Sequence, residues 1–154
     1  MNDIKVALFG HREIDDLIKL EELLSIEVEK MILKEYYVNF LIGRSGEFDE
    51  YAASVIKRVQ KRHGKDNNEL TLVLPYTVKD IEYYEKYYDN IIIPECVQGA
   101  HPKSAISLRN RWIVDFADVV IVYVEREYGG AFDAMKYAKK IGKPVVNLFK
   151  KQCH

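Results

Sequence analysis

Uninterrupted apolar runs alternate along this chain with stretches in which apolar residues recur every three or four positions. Runs of the first kind suit strands buried on both faces of a parallel sheet; the second kind suits amphipathic helices packed on it. The passage that shows both most plainly is residues 107–148, SLRNRWIVDFADVVIVYVEREYGGAFDAMKYAKKIGKPVVNL. After Asp118, VVIVYV is too short and too β-branched for a helix and reads as a buried strand. Glu127, Tyr128, Gly129 and Gly130 break it. Ala131, Phe132, Met135, Ala138 and Ile141 then fall at helical spacing, until Gly142 and Pro144 end the helix and VVNLF resumes as a strand. Strand, glycine turn, helix and strand make one parallel βαβ unit.

The same grammar holds upstream. IKVALF (residues 4–9) is a strand, followed at once by Gly10, His11 and Arg12 and by a helical stripe over residues 13–34. YYVNFLI (36–42) is the second strand; it runs into G-R-S-G-E-F-D (43–49) and a helix that buries Ala52, Ala53, Val55, Ile56 and Val59. ELTLVLPY (69–76) is the third strand, closed by Pro75. A tyrosine-rich short helix and the apolar run Ile91–Ile93 follow, and His101 and Pro102 open a further helix. This order predicts an α/β fold: a three-layer sandwich of about five mainly parallel strands with helices on both faces. One domain is expected over residues 1–154.

Composition narrows the function classes. A formal net charge of −1 supplies no global field toward polyanions, so neither nucleic acid nor membrane is an expected partner. No apolar run approaches the ~20 residues that span a bilayer. The N-terminus enters a strand directly, without the apolar core of a signal peptide, and Cys96 and Cys153 are the only cysteines. A cytoplasmic protein without a disulfide framework is therefore expected. Histidines and cysteines show no metal-ligand spacing, so no metal is expected. Cys96 lacks an activating pair, and Ser45 lacks a G-x-S-x-G context. Neither G-K-[ST] nor G-x-G-x-x-G occurs, which removes kinase, NTPase and hydride-transfer chemistry.

What remains is three glycine turns at the carboxyl edge of the sheet, where ligands of parallel α/β folds collect. At the first, Arg12 can grip a phosphate and His11 can donate a hydrogen bond or shuttle a proton, with Gly10 shaping the turn. At the second, Gly43, Arg44, Ser45 and Gly46 read as a further floor of the same site. At the third, Gly129 and Gly130 let backbone N–H groups approach an anion at a helix N-terminus, beside Tyr128. Glu47, Asp49 and Asp133 are candidate carboxylates for chemistry, and equally ordinary acids in the first turn of a helix. Arg109 and Arg111 are two apart, so only one is expected to face a common ligand, with Arg109 and Trp112 sharing a side. Tyr83, Tyr84, Tyr87 and Tyr88 can form an aromatic wall or a dimer face, or simply a half-buried amphipathic helix. His63 and His154 carry no usable signal.

Taken in order, F-G-H-R (9–12), G-R-S-G-E-F-D (43–49), R-N-R-W-I-V-D-F-A-D (109–118) and Y-G-G-A-F-D (128–133) resemble the SLOG superfamily of Rossmann-like nucleotide- and sugar-binding domains. The last two also look like the corresponding part of Lonely-Guy-type phosphoribohydrolases, where a helix arginine and a GG-x-GT-x-x-E turn hold a nucleoside monophosphate. Nucleoside 2-deoxyribosyltransferases are a third relative, with a glutamate nucleophile inside the equivalent last helix. The resemblance implies a nucleotide, ADP-ribose-like or cyclic nucleotide ligand, no cofactor, a homodimer or higher homo-oligomer, and a role as sensor or sequestering protein, as in bacterial defence signalling. Its transferable positions are Gly10, Arg12, Gly43, Gly46, Arg109, Gly129 and Gly130. The departure is that Ala131-Phe132-Asp133 replaces the Gly-Thr pair, and Lys136 stands where the hydrolase glutamate would fall. This favours binding over the alternative, cleavage of an N-glycosidic bond by Glu47, Asp49 or Asp133.

Overall fold

The apolar runs become strands because each has two faces to bury. In the first, Val6 and Leu8 enter one core, and Ala7 and Phe9 enter another on the opposite side of the sheet. The computed structural model describes residues 3–34 and 36–151; Cys153 and His154 lie outside these. Chain order is β1 (Asp3–Gly10), α1 (Leu17–Lys34), β2 (Tyr37–Ile42), α2 (Glu47–His63), β3 (Asn68–Val73), α3 (Ile81–Tyr87) and β4 (Asn90–Ile92). After a 3-10 turn at Glu95–Val97 come α4 (Pro102–Phe116), β5 (Val119–Tyr123), α5 (Gly130–Lys140), β6 (Val145–Asn147) and α6 (Leu148–Lys151). The strands form a six-stranded parallel sheet in the order β4-β3-β2-β1-β5-β6.

The two cores show how the layers are divided. Leu20, Leu24, Val28 and Ile32 of α1 and Ala52, Val55, Ile56 and Val59 of α2 cover one face, meeting Val38, Phe40 and Ile42 of β2. Ile113 and Val114 of α4 and Ala131, Ala134, Met135 and Ala138 of α5 cover the other, meeting Val120 and Val122 of β5. The expected three-layer α/β sandwich is present. Among the described residues no helix is long and apolar enough to cross a membrane.

Several bounds differ from the sequence reading, β3 ending at Val73 and not at residue 76 among them, and three differences have a local cause. A sixth strand exists: Asn90–Ile92 pairs with Thr71–Val73 at the sheet edge, a three-residue run that opens on a polar residue and so resembles a loop. α1 begins at Leu17, not at residue 13, because Asp16 caps it by accepting the Lys19 N–H at 3.0 Å. VVNLF is only half strand. The Asn147 side chain accepts the Val124 and Phe149 N–H groups and donates to the Val124 carbonyl, which stops the ladder and starts α6.

From β1 the chain steps outward through β2, β3 and β4, then crosses back to β5 on the other side. The strand order reverses between β1 and β5, and the connections leaving their carboxyl ends diverge there. That is where an open parallel sheet leaves a crevice.

Candidate functional site at the β1–β5 crevice

A cavity of about 990 Å³ occupies this crevice, roofed by α4 and α5. Ten of the residues singled out from sequence line it: Gly10, His11, Arg12, Ser45, Asp49, Arg109, Tyr128, Gly129, Gly130 and Asp133. Gly43, Arg44, Gly46 and Glu47 do not line it, and neither do Trp112 or the tyrosines of α3.

The absentees have structural work instead. An added Cβ on Gly43 would lie 2.8 Å from Nη1 of Arg109, and one on Gly46 would lie 2.5 Å from the Arg12 Cα. These glycines let the second turn pack under its neighbours, while Ser45 and Asp49 carry the same turn to the cavity. Glu47 accepts the Ile14 N–H at 2.9 Å while its own N–H donates to the Arg12 carbonyl at 2.8 Å, so it fastens the β1–α1 loop. Arg44 lies 4.7 Å from the centre of the Tyr84 ring. Trp112 stacks on Phe116. Its expected partnership with Arg109 on one ligand-facing side is not found. Both Arg109 and Arg111 border the cavity, contrary to the expectation of one, because the crevice follows α4 and takes Arg109 at its floor and Arg111 at its rim.

Arg109 is only 2% exposed. Its Nη1 donates to the Val73 carbonyl at 2.8 Å, Nη2 to Ser45 Oγ at 3.2 Å and Nε to Asn110 Oδ1 at 2.8 Å. One guanidinium thus ties α4 to the end of β3 and to the β2–α2 turn. A guanidinium has five N–H donors, so two remain beyond those three bonds. Beside it Asp49 accepts the Ser45 N–H at 2.7 Å. Burial pushes the Asp49 carboxyl up to about 6, although Ser45, Arg109 and Arg12 all pull the other way.

His11 is 7% exposed and faces inward. Its Nε2 stands 3.0 Å from the backbone nitrogens of both Glu125 and Arg126 and accepts both N–H groups. The ring is then neutral with its proton on Nδ1. Burial, chiefly, and then the Arg126 charge lower its pKa, with Asp15 opposing. A ring whose Nε2 already accepts two amides is a clamp on the β5–α5 loop and not a free proton shuttle. Beyond the clamp the loop turns outward: Tyr128 is 68% exposed, Gly129 has φ +96°, and α5 starts at Gly130. The first amides of a helix have no partner within it, and Gly130 and Ala131, which start this one, line the cavity.

Sequence reasoning passed over Lys103, Arg126 and Lys140, and noted Lys136 only as a departure from the hydrolase pattern; all four line the cavity. Helical spacing was the available signal. Lys103, Ser107 and Arg111 fall at i, i+4, i+8 on α4, and Asp133, Lys136 and Lys140 at i, i+3, i+7 on α5, so each set shares one face. Among the described residues there is no cluster of metal-ligating side chains.

No family model matches the chain, and no curated protein sequence matches it. Solved structures do. DNA processing protein A from Streptococcus pneumoniae superposes with a TM-score of 0.66 at 18% identity, covering 92% of this chain and 49% of that one. This chain thus spans about half of that protein's length. The Helicobacter pylori DNA processing protein A, described for its single-stranded DNA binding mode, gives 0.63 at 14% identity, covering 99% and 72%. The molybdenum cofactor carrier protein from Chlamydomonas reinhardtii gives 0.61 at 15%, covering 93% and 74%. The first two overturn the expectation that nucleic acid is excluded as a partner. Net charge misled because it averages the whole surface. Around the cavity stand seven cationic residues (Arg12, Lys103, Arg109, Arg111, Arg126, Lys136, Lys140) against three carboxylates (Glu13, Asp49, Asp133). Strand order, crevice and these neighbours agree: the chain has the Rossmann-like α/β fold that the resemblance implied.

Proposed function

We propose that the β1–β5 crevice binds a phosphorylated ligand of the nucleotide class. The observation that carries this reading is the excess of cations around a cavity that also receives the open N-terminus of α5. Phosphate is held by such amides and by arginine forks, and Arg12 is exposed to do so. Tyr128, exposed at the rim, offers a face on which a base can stack. Binding without turnover would make the chain a sensor or a sequestering protein. Calorimetric titration with AMP, ADP, ATP, NAD, ADP-ribose and a short single-stranded oligonucleotide tests this. Saturable binding at one site is expected, weakened roughly tenfold by Arg12→Ala, the worth of one charge-assisted contact. If no member of the panel binds, or Arg12→Ala binds as the wild type does, the proposal fails.

A second reading, cleavage of an N-glycosidic bond, is favoured by one observation: a carboxyl pushed up to about 6 lines the same cavity as the exposed Asp133. A raised carboxyl can protonate a leaving base while an ionised one steadies the oxocarbenium-like carbon. Glu47 drops out of this scheme because its carboxylate is committed to the Ile14 amide. Chromatography of protein–nucleotide mixtures would show free base, and Asp133→Asn or Asp49→Asn would abolish it.

A further inference from the structure

Four of the cations around the crevice lie on the two helices that roof it. Lys103 and Arg111 project from α4 and Lys136 and Lys140 from α5, all four exposed. Lys103 and Arg111 are eight residues apart, about 12 Å along the helix axis. Among the described residues none of the four has a salt-bridge partner.

How two of them are held is informative. Arg111 lies 5.0 Å from the centre of the Tyr137 ring, and that ring is itself fixed by a 2.6 Å hydrogen bond from its hydroxyl to Asp115. Lys136 lies 5.4 Å from the centre of the Phe132 ring. Aromatic faces orient a cation without neutralising it, whereas a carboxylate does both. Like charges gathered along one groove also repel one another, a cost that an anion placed between them would remove. The neighbouring Lys139 makes a useful contrast, since it is exposed on the same helix but does not border the cavity.

We infer that this groove is a second anion subsite and that the ligand is a nucleotide carrying more than one phosphate group. The inference rests on the reading of the crevice as a nucleotide site and specifies its substrate class: one phosphate at Arg12 and the α5 N-terminus, further phosphates between α4 and α5. A nucleoside monophosphate would leave the groove empty.

Affinities for AMP, ADP and ATP, measured by calorimetry at fixed ionic strength, test this in the wild type, Lys136→Ala/Lys140→Ala and Lys139→Ala. In the wild type ATP should bind at least about tenfold more tightly than AMP, one charge-assisted contact or more. In the double variant that preference should shrink to about threefold or less, and Lys136→Arg/Lys140→Arg should restore it. Lys139→Ala should keep the wild-type preference, which separates a built subsite from diffuse charge. Equal affinity for AMP and ATP in the wild type would overturn the inference while leaving the nucleotide reading intact. So would a double variant that keeps the full preference. Tighter capture of a short single strand than of ATP would overturn it in favour of a nucleic-acid strand. If none of AMP, ADP, ATP, NAD and ADP-ribose binds, it is the nucleotide reading that fails.

Discussion

Two glycine loops at the same sheet edge look alike in sequence and do opposite things. The loop at residues 43–46 closes inward: its glycines are there because a neighbour already fills the space a side chain would need. The loop at residues 128–130 opens outward. Gly129 has no atom within 4 Å of an added Cβ, and Gly130 has only Asn110 Nδ2, at 3.7 Å. A glycine in a sequence says that a Cβ is unwelcome. It does not say whether the reason is a packed neighbour, a backbone angle or a ligand.

The packed case should give the largest effects. Gly10 belongs with it: an ideal Cβ there would collide with the Phe48 ring, which is wholly buried in the core. Gly10→Ala is expected to cost about 3 kcal/mol or more by urea unfolding, at the upper end of overpacking penalties. Adding Phe48→Leu should recover part of that loss, because the collision is with the ring. A single variant within about 0.5 kcal/mol of wild type would mean the turn relaxes freely and the contrast between the loops is empty.

Next come two substitutions of similar size and different cause. Gly43→Ala pushes on the Arg109 guanidinium, which three hydrogen bonds hold in place, and should cost about 2 kcal/mol. Gly129→Ala meets no atom, but φ +96° with ψ 174° is a region that essentially only glycine occupies, costing about 1–3 kcal/mol. The two are separated by a double-mutant cycle with Arg109→Ala. Coupling is expected for Gly43, and simple additivity for Gly129. Additivity in both cases would remove the collision account of Gly43.

How much of this was legible beforehand follows from what each feature needs. The strands were readable because a residue buried on both faces must be apolar, and VVIVYV admits no other reading. The crevice was readable as a place, since a strand followed at once by glycine marks the carboxyl edge. β4 was not, because three residues starting at Asn90 carry too little pattern. The direction in which His11 points was not either. Its ring is set by two backbone amides 114 and 115 residues away, and backbone amides leave no mark in a sequence. That Lys136 and Lys140 face the cavity was hidden for a third reason: an exposed lysine on a helix is a common surface residue, and only the fold tells which side faces a cavity.

His11 offers a smaller test, through pH. Its folded pKa lies below the ordinary 6.5, so the unfolded chain binds the extra proton more readily. The clamp should therefore contribute fully above pH 6.5 and weaken as pH falls from there toward the lower folded value. Asp49 slopes the other way: raised from 3.8 to about 6, its ionisation makes stability fall as pH rises through that interval. Between pH 6 and 6.5 Asp49 is still titrating, so the His11 slope is read in an Asp49→Asn background. His11→Phe should lose about 1–2 kcal/mol at pH 7, the worth of two unmet amides in a part-exposed loop, and should flatten the slope in that interval. An unchanged slope would place the titrating group elsewhere.

The smallest effect is expected at Gly130, and its sign is the point. Gly130 opens α5 with a φ outside the positive range, and its nearest neighbour stands at ordinary contact distance. Nothing in the fold requires glycine there. Gly130→Ala should leave stability unchanged or raise it by about 0.5 kcal/mol, because alanine costs less chain entropy to order. Any price should appear in ligand binding, since the new methyl group stands where a phosphate would approach the helix amides. Stability kept and nucleotide affinity lost would assign this glycine to the ligand. If both are kept, the open loop tolerates a side chain and the anion sits farther along α5, toward Lys136. If stability is lost, Gly130 belongs with the packed glycines, and the contrast between the two loops narrows to Gly129 alone.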